Sequence, residues 1–392
     1  MSRIGIAALA AFCVLGGLIA GLWFGGHPKD LPGPVRDAFV QDDRALRAEI
    51  IDSIEDNYYK PVSDKKLEES SLKGIVSSLH DPFSHYLTPG EAKKFKETVA
   101  GEFEGVGMGV AEDRHGLRIL NVFPGSPARR AGIHKGDLIT AVNGKSIAGV
   151  SSDVSTSKIK GPPGTHVRLE VLTPPSKRRR NISVRRERIE VPVARSRVVT
   201  RGGRKLGVVQ LASFSTGAHG LLRQQVQKVL SHGAQGIVLD LRGNGGGLLQ
   251  EAVLVASTFI EDGRIVSVKG RHRNERTEDA VGSSIGDKLP VVVLVDRGSA
   301  SASEIVTGAL RDRKRATVVG TRTFGKGLVQ EVERLSNGGE LKLTTAHYYL
   351  PDGETIITGR GIKPQVRAKD DPDTDRDEAL PVALDTLARE LR

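Results

Sequence analysis

The chain of 392 residues contains one cysteine, two methionines, one tryptophan and only 4% aromatic residues. A lone cysteine excludes disulfides within the chain and argues against a cysteine zinc site or a cysteine nucleophile. That residue, Cys13, lies in a stretch that lacks charge altogether, Ile4 to Phe24, "IGIAALAAFCVLGGLIAGLWF". Phe12 ahead of it speaks against lipoprotein processing, which favours a small residue there. No internal repeat is present. Glycine is plentiful at 46, which implies many tight turns without the composition of a disordered chain.

The 21 uncharged residues suffice to cross a bilayer as a helix. Trp23 and Phe24 stand where an interfacial anchor would. No clear small-x-small cleavage site precedes His27, which favours an uncleaved signal-anchor over a cleaved signal peptide, the alternative. Arg3 on the short side implies a single-pass protein of the cell membrane. Its body is then expected outside the cytoplasm, on the periplasmic or extracellular side. The net charge of +11 therefore does not point to nucleic acid. The runs "KRRR" and "RGGRK" read as solvated loop tips, with anionic lipid or cell wall as the alternative contact.

Composition divides the remaining chain. Residues 1–30 form the anchor and a linker. Residues 31–100 read as helical from the apolar spacing of "ALRAEIIDSIEDNYY" and "LEESSLKGIVSSL". From 101 to 184, short β segments such as "LRILNVF", "DLITAVNG" and "HVRLEVL" alternate with turns and short helices, making a compact module. Over 185–367, uniformly apolar strands ("GIVLDL", "PVVVLV", "ATVVG") alternate with helices ("GLLRQQVQKVLSHG", "SEIVTGALRD"). That pattern predicts an α/β core with a mostly parallel sheet covered on both faces. Residues 368–392 are an acidic linker and a terminal helix.

Sites in open parallel sheets form at the carboxyl ends of the strands. Three unusual loops follow three of these strands: "LRGNGGG", "RGSASASE" and "TFGKG". They are expected to meet on one rim. "GTRTFGKG" approaches a phosphate-binding loop, but Gly327 stands where the magnesium-binding hydroxyl belongs, and "LVQEVERL" alternates like a strand. "GNGGGL" fails the dinucleotide fingerprint at Leu248. The nucleophilic reading fares better. "SASAS" offers Ser299, Ser301 and Ser303, and Ser301 with Glu304 also fits a capping box, so helix capping is the alternative role. A helix N-terminus suits an oxyanion, with the amide of Ala302 as first donor and the Gly245–Gly247 loop able to bring a second. None of the ten histidines falls in these loops. Lys326 can act as base if burial keeps it neutral, with Phe324 expected to contribute to that burial. Gln330 can orient its amine; an ordinary strand residue is the alternative.

The ordered motifs resemble those of the carboxyl-terminal processing, or tail-specific, proteases. They are "GIVSSLHDPFSHYL", "FEGVGMGV", "GSPARRAGIHKGDLITAVNGK", "GPPGTHV", "LDLRGNGGG", "SASASEIVTGALRD", "GTRTFGKGLVQ" and "GRGIKP", spread over residues 45–367. The resemblance implies a crotonase-like serine peptidase core bearing an inserted PDZ domain, with no metal or other cofactor. It implies Ser301 as nucleophile, Lys326 as base and Gln330 orienting the lysine. Oxyanion donors are implied at Ala302 and in the Gly246–Gly247 pair. The PDZ module would bind a substrate protein's free C-terminus through Gly105, Val106, Gly107 and Met108, where successive amides make a nest for a carboxylate. An apolar tail would suit Val106 and Met108. An activating adaptor protein and a homo-oligomer are open, as is a non-enzymatic PDZ scaffold on a degenerate core. His80 and Lys160 depart from the family pattern, which often has Leu and Arg there.

Overall fold

The computed structural model describes residues 62–391 except 175–177, 272–273, 283, 287, 355–359 and 371–375, and only isolated positions before residue 62. The expected anchor, apart from Gly17, and the first half of the 31–100 helical region lie outside the described residues. Among those described, no helix is long and apolar enough to cross a membrane.

The chain divides into two compact units, 1–88 and 89–392. In the first, helix α1 (Asp64–Ser77) precedes His80, which turns the chain at φ 50°. Asp81 then holds a tight turn, accepting from the Phe83 N–H at 3.0 Å and the Ser84 hydroxyl at 2.6 Å. Strand β1 (His85–Leu87) follows.

The second unit opens with α2 (Pro89–Ala100), whose first residue is a proline, a position where the missing N–H leaves no bond unmade. A β-rich module comes next: β2 (Glu102–Gly105), β3 (Met108–Asp113), β4 (Gly116–Val122), α3 (Pro127–Arg130), β5 (Leu138–Val142), β6 (Lys145–Ser146), α4 (Ser152–Ile159), β7 (His166–Thr173), β8 (Arg178–Arg185) and β9 (Glu187–Glu190). The antiparallel sheet runs β3-β4-β5-β7-β8, β6 joins β5, and β9 pairs back onto β2. Alternation drives it. Val167, Leu169 and Val171 of β7 all point inward and are fully buried with Leu117, Ile119 and Ile139 in a core of the module's own.

The remaining elements are β10 (Ala194–Arg201), β11 (Arg204–Leu211), α5 (Ala218–Ser231), β12 (Ile237–Asp240), α6 (Leu249–Ser257), β13 (Arg264–Gly270), β14 (Arg276–Asp279), β15 (Val291–Val295), α7 (Ala302–Asp312), β16 (Thr317–Gly320), β17 (Leu328–Arg334), β18 (Glu340–Tyr349), β19 (Val366–Arg367) and α8 (Ala379–Glu390). The main sheet runs β10-β11-β12-β15-β16-β19 and is parallel from β11 onward. Every residue of β12 and β15 is buried, because helices cover both faces. Leu239 and Val293 pack with Leu222, Val226 and Ile305 on one face. Val238, Val292 and Leu294 pack with Leu380, Leu384 and Leu387 of α8 on the other. A second, antiparallel sheet is formed by β13, β14, β17 and β18.

Parallel strands bring the loops after β12, β15 and β16 to one rim. Arg242, in the first of these loops, clamps the C-terminal helix there. Its guanidinium bonds Asp240 at 2.8 Å, Asp370 at 3.0 Å and Asp377 at 2.9 Å. The same aspartates accept the Ala379 and Leu380 N–H groups that open α8, both at 2.9 Å. Burial alone would push the Asp377 carboxyl upward, but the Arg242 hydrogen bond and charge outweigh it and hold it below the usual range.

Arg242→Met leaves Asp240, 4% exposed, without its cation and is expected to cost about 3–5 kcal/mol, read from the urea midpoint at pH 7. Asp377 has a lowered folded-state pKa, so its contribution is complete above the unfolded carboxyl pKa and disappears as pH falls through the lowered value. Wild type therefore loses stability below about pH 4, and the variant should lose less over that window.

Candidate active site

Asn244, fully buried, organises the loop after β12. Its Nδ2 donates to the Leu211 carbonyl at 2.8 Å and its Oδ1 accepts from the Gly246 N–H at 3.0 Å. Its own carbonyl accepts from the Ala300 N–H at 3.0 Å and the Ser303 hydroxyl at 2.8 Å. One side chain and its backbone thus join the end of β11, the glycine loop and the serine loop. Gly246 lies against the latter at φ 100°: a Cβ there would stand 2.9 Å from Ser301 Cβ and 3.0 Å from the Ala302 nitrogen. Only glycine fits.

The structure separates the three serines. Ser299 and Ser303 are fully buried, and their hydroxyls donate to the Leu241 and Asn244 carbonyls, each at 2.8 Å. Ser301 makes no such bond. It caps α7 at φ 55°, ψ −112°, a conformation that costs a residue with a side chain about 1–3 kcal/mol. The expected capping box of Ser301 and Glu304 is present, and Ser301 is 8% exposed. The Ala302 N–H, at the positive end of α7, has no partner among the described residues. The amide of Gly246, expected with Gly247 as an oxyanion donor, is engaged by Asn244. The Gly247 N–H carries no intramolecular bond among the described residues, so it is the free donor of the pair.

Glu304 holds the strained turn. Its side chain is fully buried, one helical turn into α7. Oε2 accepts from the Ser301 N–H at 2.9 Å and the Lys326 N–H at 2.8 Å. Oε1 accepts from the Gly325 N–H at 2.8 Å and the Thr323 hydroxyl at 2.5 Å. Four donors satisfy one buried carboxylate, which also sits favourably at the helix N-terminus. The lysine loop is further tied to the serine loop by the Phe324 N–H on the Ser299 carbonyl at 3.0 Å. Thr323 and Gly325 face inward to reach Glu304, and Phe324 between them is 46% exposed, not buried over the lysine. The Lys326 side chain is half-buried.

Gln330 lies in β17 beside a bulge, with its amide nitrogen 3.4 Å from the Leu328 carbonyl. The sequence marks Glu304 only as a cap and assigns no role to Asn244. The available signals were a polar residue set among glycines and a glutamate three residues after a serine.

In the β-rich module, β3 is an edge strand. The Val106 and Gly107 carbonyls are held by the Ala128 and Phe123 N–H groups at 2.8 and 3.1 Å. Val106 is 2% exposed and belongs to the module's core, so Met108 is the apolar residue left near the strand edge. Lys160 bonds Glu97 at 2.5 Å and lies over the Phe103 ring. Among the described residues no cluster of His, Cys, Asp and Glu could hold a metal.

A model of peptidase family S41 matches residues 205–368, a PDZ domain model matches 95–172, and the activating protease CtpB N-terminal domain matches 47–89. The "Carboxy-terminal processing protease CtpA" of Bacillus subtilis is 37% identical over 319 residues, 81% of this chain and 67% of that protein. The chain belongs to peptidase family S41. A "Probable CtpA-like serine protease" of Staphylococcus aureus is 38% identical over 312 residues, 79% of the chain, which spans 62% of that relative's length. The photosystem II D1 C-terminal processing protease shares the fold at TM-score 0.50 and 28% identity, over 88% of this chain and 98% of that one. In this S41 chain the family match therefore covers all three rim loops.

Ser301→Gly relieves the positive-φ strain that Ser301→Ala retains, so the glycine variant should be the more stable by about 1 kcal/mol in parallel thermal melts. Glu304→Gln replaces one acceptor by an NH2 facing loop donors. It is expected to lose about 3 kcal/mol or more, seen as a lowered melting temperature.

Proposed function

We propose that the chain is a membrane-anchored serine endopeptidase acting outside the cytoplasm, which captures protein C-termini on its PDZ module and cuts with a Ser301–Lys326 dyad. The observation that carries this reading is the strained Ser301 turn at the N-terminus of α7, bonded through Glu304 to the backbone of Lys326. Ser301 Oγ attacks the scissile carbonyl while the neutral Lys326 amine takes its proton. The oxyanion receives the Ala302 and Gly247 N–H groups. Collapse returns the proton from the lysine to the departing amine and leaves an acyl-enzyme. Water, deprotonated by Lys326, then releases the acyl group as a carboxylic acid and restores Ser301. Gln330, through its amide oxygen, orients the lysine.

In the same reading the substrate's C-terminal segment adds as a strand along β3, with its carboxylate at Gly105–Gly107 and an apolar side chain against Met108. A cleft of about 700 Å³ between α2, β2, the end of α4 and the Ser213–Ser215 segment gives the chain a course toward Phe214, whose backbone pairs with Gly247. The names of the B. subtilis relative and of the D1 protease, both carboxy-terminal processing enzymes, agree with this. The residue 4–24 anchor, the crotonase-like description of the core, an activating adaptor and a homo-oligomer belong to the proposal as well.

Ser301→Ala and Lys326→Ala should each lower kcat/KM on an unstructured protein with an apolar tail by about four orders of magnitude or more, with a cooperative melting transition retained. Lys326→Arg should fail to restore activity, because a guanidinium cannot serve as the base. Full activity in any of the three sinks the dyad. Amidating the substrate's C-terminus should raise KM about tenfold or more with kcat retained; an unchanged KM would remove the PDZ role.

A further inference from the structure

The rim loops present a second surface on the α8 side of the parallel sheet. The segments after β12, β15 and β16 and those flanking β19 enclose a cleft of about 650 Å³ lined, among the described residues, by Arg242, Arg297, Arg322, Lys363, Arg367 and Lys369 and by two acids, Asp296 and Asp370. The chain as a whole has 58 cations to 47 acids, so this excess is local. Both acids are engaged. Asp296 accepts from the Gly243 and Gly298 N–H groups at 2.9 and 2.8 Å, and Asp370 accepts from Arg242 and the Ala379 N–H. Arg242 is neutralised by its three aspartates, and Arg322 donates to the Arg360 and Gly361 carbonyls. Arg297, Lys363, Arg367 and Lys369 are exposed, and among the described residues none of the four makes an ion pair.

We propose that this cleft binds an aspartate- or glutamate-rich segment of the polypeptide to be cut, a specificity site separate from capture of the C-terminus. The cutting rests on the peptidase reading above; the binding does not. Arg297 lies four residues before Ser301, and Arg322 four before Lys326, so a chain lying across the rim can reach both. The cations come from four separate segments, a spread that suits a row of carboxylates better than one phosphate, and guanidinium groups pair carboxylates in bidentate fashion. A recessed cleft cannot lie flush on a planar membrane. Walls of one charge sign focus the field and raise the encounter rate with an oppositely charged segment.

The test uses the full chain in detergent micelles, carrying Ser301→Ala, and a fluorescent glutamate-rich peptide beside its glutamine counterpart. Anisotropy at ~50 mM salt should show the acidic peptide binding at least about tenfold tighter, with the preference lost at ~500 mM, where charges are screened within a few ångströms. Lys363→Gln/Arg367→Gln/Lys369→Gln should abolish the preference; Arg367→Gln alone should reduce it. An equal charge change in the β-rich module, Arg168→Gln/Arg178→Gln/Arg185→Gln, should leave it intact. With the otherwise wild-type enzyme, an acidic stretch in the substrate should lower KM at unchanged kcat. Equal binding of the two peptides, or equal loss in the control variant, overturns the proposal. Displacement of the acidic peptide by phosphatidylglycerol vesicles, with no effect of the acidic stretch on KM, assigns the surface to lipid and overturns it too. Retained acidic-peptide binding by an enzyme that cuts nothing leaves the cleft standing and removes the peptidase reading.

Discussion

The carboxylate of Glu304 joins the parts that the rest of the rim depends on. Its four donors come from two loops that leave different strands, β15 and β16. A fully buried charge is tolerable only when its lone pairs are filled, and here the filling groups are three backbone amides of the serine and lysine loops and the Thr323 hydroxyl. Loss of either loop geometry would strand the charge. The conformation of one loop is thereby coupled to the other through a shared acceptor. Asn244 performs the same office for the glycine loop, from inside the fold.

These two anchors account for the strain at Ser301. A hydroxyl-bearing residue at φ 55° is uphill by itself, and it stays there because the bonds on either side are made only in that shape. The Ser301 N–H reaches Glu304, the Ala300 N–H reaches Asn244, and Gly246 occupies the space that a Cβ would need. The flanking serines are consumed in the same construction, which leaves Ser301 as the hydroxyl of the run that donates to no main-chain carbonyl.

Much of this was legible in the sequence, and the reason lies in periodicity. Apolar runs such as "PVVVLV" can only be strands buried on both faces, so their order forced the three loops onto one rim and put Ser301 and Lys326 there. The glycines announced a close approach. What a single sequence does not encode locally is which distant group occupies which donor. Nothing near Gly246 says that Asn244 takes its amide, and nothing near Phe324 says that its neighbours turn inward and leave it exposed. Val106 fell to the module's core for the same reason: a valine beside glycines reads alike whether it faces a ligand or a buried isoleucine. The antiparallel sheet joins two strand pairs, β13–β14 and β17–β18, that β15, α7 and β16 separate in sequence, so local alternation does not reveal that they belong to one sheet.

The strain also bears on the choice between a peptidase and a scaffold that only tethers protein tails. A tethering function would use the β-rich module and place no demand on the rim. There, a glycine at position 301 would stabilise the fold, and a relaxed turn would serve the helix cap equally well. The chain instead keeps a serine in a conformation costing about 1–3 kcal/mol, with Glu304 and Asn244 buried to enforce it and free amides from Ala302 and Gly247 beside it. Strain of that size against a marginal total stability is understandable if the hydroxyl must point at a reacting carbonyl, and has no evident purpose otherwise. This favours the enzyme.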